Sequence, residues 1–310
     1  MIVTGAAGML GKSLLKEIDS MSEHTVVGLS RADLDLRDSR VLRGILRTES
    51  PDVLIHAAAK VGGIQANINS PFEFLAHNLS MDTNVIESCI SEGVPNLLYI
   101  GSSCMYPKDY RQPLLESDIF AAPLEPTNEG YAIAKIAGSK LCEYASHSFG
   151  LNYRTVVPSN LYGPGDNFKR GSSHLIASAI SKVHEAKLAG ASEIEVWGSG
   201  SARREFTYTK DLASWVAASI VRMEQLPTLL NLGFGSDYSI DEFYIAVMAA
   251  VGYDVELAHD LSKPEGMKSK LMDSSKASDH HGWKPDTDLA TGLKNTYMWF
   301  LESQHKNDRI

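Results

Sequence analysis

The stretch IVTGAAGMLG at residues 2–11 decides the fold of this chain. Its first three residues are apolar or β-branched and predict a strand. The three glycines then allow a tight turn, a close approach of the backbone to a phosphate, and close packing of the following helix on the sheet. The unpaired N–H groups at the start of that helix favour an anion. The stretch therefore predicts that a dinucleotide pyrophosphate binds at Gly5, Gly8, Met9, Leu10 and Gly11.

The rest of the chain alternates short apolar runs with longer amphipathic ones, as expected for a parallel sheet with helices on both faces. Strands are predicted at 2–4, 25–29, 53–56, 96–100 and 153–157, and helices at 8–20, 39–49, 72–91 and 130–149. We read the Pro-, Gly- and Asn-rich segment 158–173 as a long structured loop. The fold class is thus α/β, a doubly wound parallel sheet (Rossmann fold) with a smaller α/β C-terminal substrate domain.

Two domains are predicted within this fold. A nucleotide-binding domain spans 1–159, with a returning segment near 205–235, and a substrate domain is assembled from 160–204 and 236–310.

Composition narrows the class of protein. The formal net charge of −9 argues against a general nucleic-acid binder, which needs a basic face. We find no apolar run long enough to span a membrane, and no room before the first strand for a signal peptide. Three cysteines are too few for a disulfide framework or a zinc cage. We therefore expect a cytoplasmic protein that binds no metal, no membrane and no nucleic acid.

The end of the second predicted strand discriminates between NAD and NADP. An acidic residue there would bind the ribose hydroxyls, whereas an arginine can hold a 2′-phosphate. The sequence at this point reads Leu29-Ser30-Arg31-Ala32-Asp33. Asp33 is compatible with NAD, but Arg31 is nearer the decisive position, and its guanidinium suits phosphate geometry. The sequence therefore favours NADP(H), with Arg31 as the 2′-phosphate ligand.

Three polar residues form a candidate catalytic set. Ser102 follows the fourth strand, and polar side chains at that end of a parallel strand face the ligand crevice. Tyr131 and Lys135 are four residues apart, which places them on one face of a helix. A phenol is a poor acid–base catalyst unless a nearby cation stabilises its phenolate, a role that Lys135 would fill. Ser102 would hydrogen-bond to the reacting substrate oxygen.

Several motifs together identify a family. They are GAAGMLG, HAAAKVGG, GSSCMYPK, EPTNEGYAIAKIAGSKLCE, PSNLYGP and WGSGSARREF. In this order they resemble the extended short-chain dehydrogenase/reductase superfamily, and within it the GDP-L-fucose synthases, over nearly the whole chain. The resemblance implies NADPH-dependent epimerisation at carbons 3 and 5 of a GDP-4-keto-6-deoxy sugar, followed by reduction at carbon 4. It also implies a homodimer built on the helices at 72–91 and 130–149.

The resemblance also implies individual roles. Cys104 matches the epimerisation base and His174 the general acid, and both groups titrate close enough to neutral pH for this chemistry. The implied cofactor contacts are Ala57, Ala58, Lys135 and His174. The implied contacts to the sugar nucleotide are Ser103, Asn160, Trp197, Arg204, Lys263 and Lys270.

Some segments depart from the pattern of the family, and other functions remain open. The sequence differs at 169–173 and 267–269, both near the predicted substrate site, so a C4 reductase acting on a GDP-4-keto heptose or another GDP-keto sugar is the main alternative. A 4,6-dehydratase would carry an acidic pair where Ser103 and Cys104 stand. A 4-epimerase would hold NAD tightly, contrary to the Arg31 interpretation. A non-catalytic NADP-binding regulator would often lack the Tyr or the Lys of the catalytic set.

Overall fold

The structure, a computed structural model, describes residues 1–21, 24–169, 171–263 and 266–307. The α-helices are α1 Met9–Asp19, α2 Ser39–Glu49, α3 Ile64–Asn69, α4 Pro71–Ser91, α5 Glu129–Phe149, α6 Leu175–Ala189, α7 Thr209–Ser219, α8 Ile240–Val251, α9 Ser275–His281 and α10 Leu289–Asn307. The strands are β1 Ile2–Thr4, β2 Val27–Leu29, β3 Val53–His56, β4 Asn96–Ile100, β5 Asn152–Pro158, β6 Asn160–Tyr162, β7 Glu193–Trp197, β8 Arg203–Arg204, β9 Phe206–Tyr208, β10 Leu229–Leu232, β11 Tyr238–Ser239, β12 Glu256–Asp260 and β13 Ser269–Lys270.

The main sheet has six parallel strands in the order β2-β1-β3-β4-β5-β10. Helices cover both faces because the strands are apolar on both sides. One face packs on α1 and α7. The other packs on α2, α4 and α5. The chain leaves β1 toward β2 and then crosses back to β3, so the direction of winding reverses between β1 and β3. Ligands of doubly wound sheets bind in the crevice at such a reversal. The predicted fold class is confirmed.

A second hydrophobic core lies beside the sheet, between α6, α8 and α10. It is bordered by the parallel pair β7–β12 and by β6–β9. A small sheet of order β11-β8-β13 completes this part of the molecule. The chain passes between the two cores more than once. Helix α6 packs in the second core, α7 and β10 then pack with the main sheet, and α8 returns to the second core.

The segment 158–173 differs from its sequence-based prediction as a loop. Residues Asn160–Tyr162 form strand β6, which pairs in parallel with Phe206–Tyr208. Parallel pairing with a strand this distant in sequence leaves no local hairpin signal, so the turn-forming residues dominated the prediction.

Two glycines of the first turn have a direct structural reason. Gly5 has a left-handed φ of 73°, and a Cβ there would lie 2.8 Å from the backbone of Ala58. A Cβ on Gly11 would overlap the carbonyl oxygen of Gly5. Side chains at either position would push β1, β3 and α1 apart, so the sequence must have glycine there.

Candidate active site

A cavity of about 1630 Å³ opens along the carboxyl ends of the main-sheet strands and continues to the second core. It is larger than the few hundred to a thousand cubic ångströms of an ordinary small-molecule site. Of the sequence-predicted residues, it brings together Gly5, Gly8, Met9, Leu10, Gly11, Arg31, Ala57, Ala58, Ser102, Cys104, Tyr131, Lys135, Asn160, His174, Trp197, Arg204 and Lys270.

Two predicted substrate contacts do not line this cavity. Ser103 is buried in a 3₁₀ turn, where its carbonyl oxygen accepts a hydrogen bond from Tyr106. Lys263 lies outside the lining, with its Nζ 5.6 Å from the ring centroid of Trp197 and 3.9 Å from Asp260. Ser103 would need a rearranged turn to reach a ligand. Lys263 thus contacts Trp197, a residue that does line the cavity.

The cofactor end of the cavity fits a dinucleotide. Gly8 is the N-cap of α1 and lines the cavity together with Met9, Leu10 and Gly11, so the start of this helix borders the cavity. The first N–H groups of a helix have no partner within it and suit an anion. Arg31 lines the cavity at the end of β2. Asp33, which would have favoured NAD, instead accepts hydrogen bonds from the backbone N and the Oγ of Ser30 at 2.7 and 2.6 Å. These bonds lower the pKa of Asp33 and use its carboxylate to shape the turn. Arg31 and Arg37 both line the cavity beside it, and Arg37 is paired with Asp35.

Ser102 and Tyr131 both line the cavity and are close enough to hydrogen-bond to each other. Burial raises the pKa of Tyr131, the nearby Cys104 and Asp82 raise it further, and a hydrogen bond with Ser102 lowers it. The phenol therefore keeps its proton at neutral pH in the ligand-free protein. A protonated phenol is suited to donating a proton to a substrate oxygen.

Lys135 has a different immediate partner from the one expected from the sequence. Its Nζ donates to the carbonyl oxygen of Ile100 at 3.1 Å and lies 3.9 Å from Asp82 Oδ2. It also sits 4.5 Å from the ring centroid of Tyr99. Burial lowers the pKa of Lys135, and the Asp82 carboxylate opposes that change. In the ligand-free protein, the positive charge of Lys135 is thus balanced mainly by the Asp82 carboxylate and the Ile100 carbonyl oxygen. A phenolate of Tyr131 is not its partner.

Asp82 is the centre of a buried network that sequence reasoning missed. Its Oδ1 is 3.0 Å from His56 Nε2, and its Oδ2 accepts a hydrogen bond from the hydroxyl of Tyr99. The other ring nitrogen of His56 is 2.7 Å from Thr4 Oγ1. Burial acts to raise the pKa of Asp82, but Lys135, His56 and Tyr99 outweigh it and keep the pKa low. The network joins the glycine-rich turn to Lys135 through an ionised carboxylate.

Cys104 and His174 lie on different elements that meet at the cavity. Cys104 is in the 3₁₀ turn after β4, where its backbone N–H donates to Ser102 Oγ at 3.2 Å. Its sulfur accepts a hydrogen bond from Asn128 Nδ2 at 3.2 Å. His174 caps the start of α6, and burial lowers its pKa. The ligand-free site therefore presents a neutral imidazole and a cysteine sulfur that a side-chain amide holds in place.

Asn128 is a second residue that the sequence analysis did not single out. It stands three positions before Tyr131, in the turn that leads into α5, and also lines the cavity. Its Nδ2 donates to Cys104, and its buried Oδ1 has no hydrogen-bond partner among the described residues. An amide at this position has no spacing rule of its own. Only its place beside the tyrosine motif could have drawn attention to it.

Comparison with known proteins places the chain in a family. A family model described as the NAD dependent epimerase/dehydratase family matches residues 1–233. The chain belongs to the NAD dependent epimerase/dehydratase family. This membership confirms the superfamily that the motifs indicated.

Relatives within this family carry related names. The chain is 40% identical to a GDP-L-fucose synthase of Azorhizobium caulinodans, over 97% of this chain and 96% of the relative. It is also 40% identical to a GDP-L-colitose synthase of Yersinia pseudotuberculosis, over 99% of each chain. These relatives confirm the resemblance to the GDP-L-fucose synthases that the motifs indicated.

Solved structures of the family extend the comparison. A GDP-6-OMe-4-keto-L-xylo-heptose reductase from C. jejuni superposes with a TM-score of 0.90 at 29% identity, over 97% of both chains. The GDP-mannoheptose C4 reductase MlghC from Campylobacter jejuni, which has NADP bound, superposes with a TM-score of 0.86 at 29% identity, again over 97% of both chains. The bound NADP of that enzyme agrees with the cofactor expected from Arg31.

The described part of the chain contains neither a membrane-spanning helix nor a cluster of metal-binding side chains. No helix there is both long and apolar enough to cross a membrane. Within the same residues, no cluster of three His, Cys, Asp or Glu side chains is arranged to hold a metal ion.

Proposed function

We propose that this chain binds NADP(H) and a GDP-4-keto-6-deoxy sugar in the cavity at the carboxyl ends of the main-sheet strands. There it epimerises carbons 3 and 5 and reduces carbon 4, converting GDP-4-keto-6-deoxy-D-mannose to GDP-L-fucose. The observation that carries this proposal is the convergence of two sets of residues on one cavity. Ser102, Tyr131 and Lys135 serve ketone reduction, and Cys104 and His174 serve proton transfer at carbon.

The reduction follows from the protonation states at the floor of the cavity. Gly5, Gly8, Gly11 and Arg31 would hold NADPH, which would supply the hydride for the reduction of carbon 4. Tyr131 donates its proton to the carbonyl oxygen, and Ser102 hydrogen-bonds to that oxygen as its negative charge grows. Lys135, held by the Ile100 carbonyl and Asp82, supplies the positive charge that favours the phenolate left behind.

The epimerisation needs a base and an acid on opposite faces of the sugar. Cys104 removes a proton from the carbon beside the ketone, and the resulting enolate oxygen faces Ser102 and Tyr131. His174, once it is protonated in the complex with the substrate, returns a proton from the other face and becomes a neutral imidazole, and the carbon is inverted. Both groups line the cavity and come from different elements, Cys104 from the turn after β4 and His174 from the start of α6.

The sugar nucleotide is held, in this proposal, by Asn160, Trp197, Arg204 and Lys270, which line the cavity on the side of the second core. Arginine and lysine suit a diphosphate, and tryptophan offers an apolar wall. Lys263 and Ser103 would contribute only through neighbouring residues. We also propose the predicted domain division, with 1–159 and a segment near 205–235 holding NADP(H), and 160–204 and 236–310 holding the sugar nucleotide.

A GDP-4-keto-heptose C4 reductase, with or without epimerisation, is the second candidate. The structural match to a heptose reductase at a TM-score of 0.90 favours it. So do the departures at 169–173 and 267–269, of which residue 170 lies outside the described residues.

Deuterated water distinguishes the two candidates. The protein is incubated with NADPH and GDP-4-keto-6-deoxy-mannose in D₂O, and the product is analysed by NMR and mass spectrometry. GDP-fucose with deuterium at carbons 3 and 5 supports the first proposal. NADPH oxidation without deuterium incorporation supports a simple C4 reductase. No turnover of this sugar, with turnover of a GDP-keto-heptose, contradicts the first proposal.

Variants then assign the steps. Cys104→Ser and His174→Gln should suppress deuterium incorporation. Tyr131→Phe should suppress NADPH oxidation while leaving incorporation measurable, since the loss of an acid–base group costs about 10² to 10⁴ in rate. Loss of both reactions in all three variants would contradict this separation of roles.

We further propose a homodimer in the cytoplasm. Helices α4 and α5 pack together and expose the apolar side chains of Phe72, Leu79, Ile133 and Tyr144. Two such pairs from two copies could bury these faces in a symmetric four-helix contact. The three cysteines are all unpaired, as a reducing compartment would keep them. Sedimentation of the protein and of Ile133→Glu tests the contact, and a wild-type monomer would refute it.

A further inference from the structure

Lys270 is a buried lysine without a carboxylate partner among the described residues. It ends β13, paired in register with Arg204 of β8, and its side chain is only 7% exposed. Its Nζ lies 3.9 Å from Cys104 Sγ, the one contact described for this ammonium. Lys135, by contrast, is buried against Asp82. Burying an unpaired ammonium is costly, so the sulfur is the group positioned to balance the Lys270 charge.

Two donors therefore converge on the sulfur from different elements. Asn128 Nδ2 reaches it at 3.2 Å from the turn before α5, and Lys270 approaches from β13. Both can donate to sulfur, and donors directed at a titratable group favour its charged form. The arrangement thus places two donors, one of them a cation, around the Cys104 sulfur.

Other ionisable groups around Cys104 do not replace Lys270. Tyr131 on α5 is near enough for the two charges to interact, but a phenol cannot act as a counter-cation. Lys135 is committed to Asp82, and burial lowers the pKa of His174 and so favours its neutral form. Arg204 and Glu125 also line the cavity, and Glu125 lies 3.5 Å from Lys108.

We propose that Lys270 is the counter-ion of the Cys104 thiolate and so a positioning residue for carbon-bound proton removal. This deepens the proposed function, on which it rests for the identity of the proton removed. In that step the sulfur forms an S–H bond as the C–H bond beside the ketone breaks. The C–H electron pair becomes the enolate double bond, and the negative charge moves from sulfur to the carbonyl oxygen near Ser102. Lys270 stabilises the charge at the start of the step.

Alkylation of Cys104 by iodoacetamide tests the proposal without substrate or cofactor. Cys89 and Cys142 are fully buried, and burial raises the pKa of both thiols, so they serve as unreactive internal controls. Mass spectrometry of the peptides gives the rate at each cysteine. Lys270→Met should lower the Cys104 rate about tenfold near neutral pH, since the thiolate is the reactive form.

Rescue and control variants separate charge from structure. Lys270→Arg keeps the charge and should retain most of the rate, and Lys268→Met, on the exposed neighbour two residues away, should react like the wild type. The Lys270→Met and wild-type rates should converge at about pH 10, where an ordinary thiol is already ionised. An equal rate for Lys270→Met near neutral pH overturns the proposal. A deficit that persists at high pH overturns it too, since it shows altered access instead of altered charge.

The experiment also separates this proposal from the function it deepens. If the alkylation rate of Cys104 depends on the charge at residue 270 but the protein turns over no GDP-keto sugar, the ion pair of Lys270 with Cys104 is supported and the proposed function is refuted. If the wild type incorporates deuterium and Lys270→Met raises the KM for the sugar nucleotide without changing the alkylation rate of Cys104, Lys270 acts on the substrate alone and the counter-ion proposal is refuted.

Discussion

Replacing Asp82 with Asn should destabilise the protein by an amount that follows from the buried network. The carboxylate lies 3.9 Å from Lys135 Nζ, and both side chains are essentially excluded from solvent. Two unit charges at this distance interact by about 4 kcal/mol at an effective dielectric constant of about 20. Asn no longer bears the desolvation cost of a buried carboxylate, which offsets part of the loss. Leaving one buried charge unpaired should still cost about 3 kcal/mol.

The pH dependence of stability adds a second signature. Burial already lowers the pKa of Lys135, and Asp82→Asn removes the attraction that opposes this. Between that lowered pKa and the ordinary lysine value of about 10.4, the unfolded chain binds more protons than the folded one. The stability of the variant should therefore rise with pH across this window.

Urea unfolding at several pH values measures both effects. Glu73→Gln is the matched control, because Glu73 lies on α4 like Asp82 but forms its ion pair, with Lys60, at the protein surface. Ion pairs at the surface contribute little to stability. The control should unfold like the wild type. If Asp82→Asn also unfolds within about 0.5 kcal/mol of the wild type, Lys135 does not depend on Asp82 for its charge and this account of the network is wrong.

Three further perturbations test other parts of the structure. Gly138→Ala should destabilise the protein by about 1 to 3 kcal/mol, because the added Cβ would overlap the hydroxyl of Tyr99. Gly44→Ala, at a helix position with open space around it, should stabilise the protein by about 0.5 to 1 kcal/mol. Urea unfolding of both variants checks that the two effects have opposite signs. Burial raises the pKa of Glu205 from 4.5 to about 7, so the folded state binds the extra proton and stability should fall by about 3 kcal/mol as the pH rises across that interval. Glu205→Gln should flatten that slope, and an unchanged slope would assign it to another group. Arg31→Ala should raise the KM for NADPH at least about tenfold and leave the KM for NADH nearly unchanged. Steady-state kinetics with both cofactors measures the two values. Equal effects on both would show that Arg31 is not the ligand of the 2′-phosphate.

Much of the fold was predictable because its signals are local. The glycine-rich turn, the apolar strands and the periodic helices each depend on residues adjacent in sequence, and helix α2 spans the predicted residues. Strand β6 was missed because its partner, β9, is remote in sequence. Gly5, Gly8, Met9, Leu10 and Gly11 at the cofactor end were found for the same reason as the fold, since they belong to the turn and the start of α1.

The supporting groups of the site were not predictable in the same way. Asp82 lies in the middle of α4, and neither its spacing nor its neighbours distinguish it from a surface carboxylate. Asn128 and Lys270 approach Cys104 from segments far apart in the chain. Such contacts depend on the tertiary packing of several elements, which no single-sequence pattern records. Ser103 shows the converse, since its motif indicated a ligand contact but its turn buries it.

The position of β10 at the edge of the main sheet bears on how the chain folds during synthesis. Strands β1 to β5 are complete by Pro158, but β10, which pairs with β5, begins only at Leu229. Helix α7, which covers α1, also precedes β10 by only a short segment. A ribosome that has released only the first half of the chain therefore exposes the unpaired edge of β5 and the apolar side of α1. Nascent chains of this protein should thus need protection from aggregation until the later segment emerges.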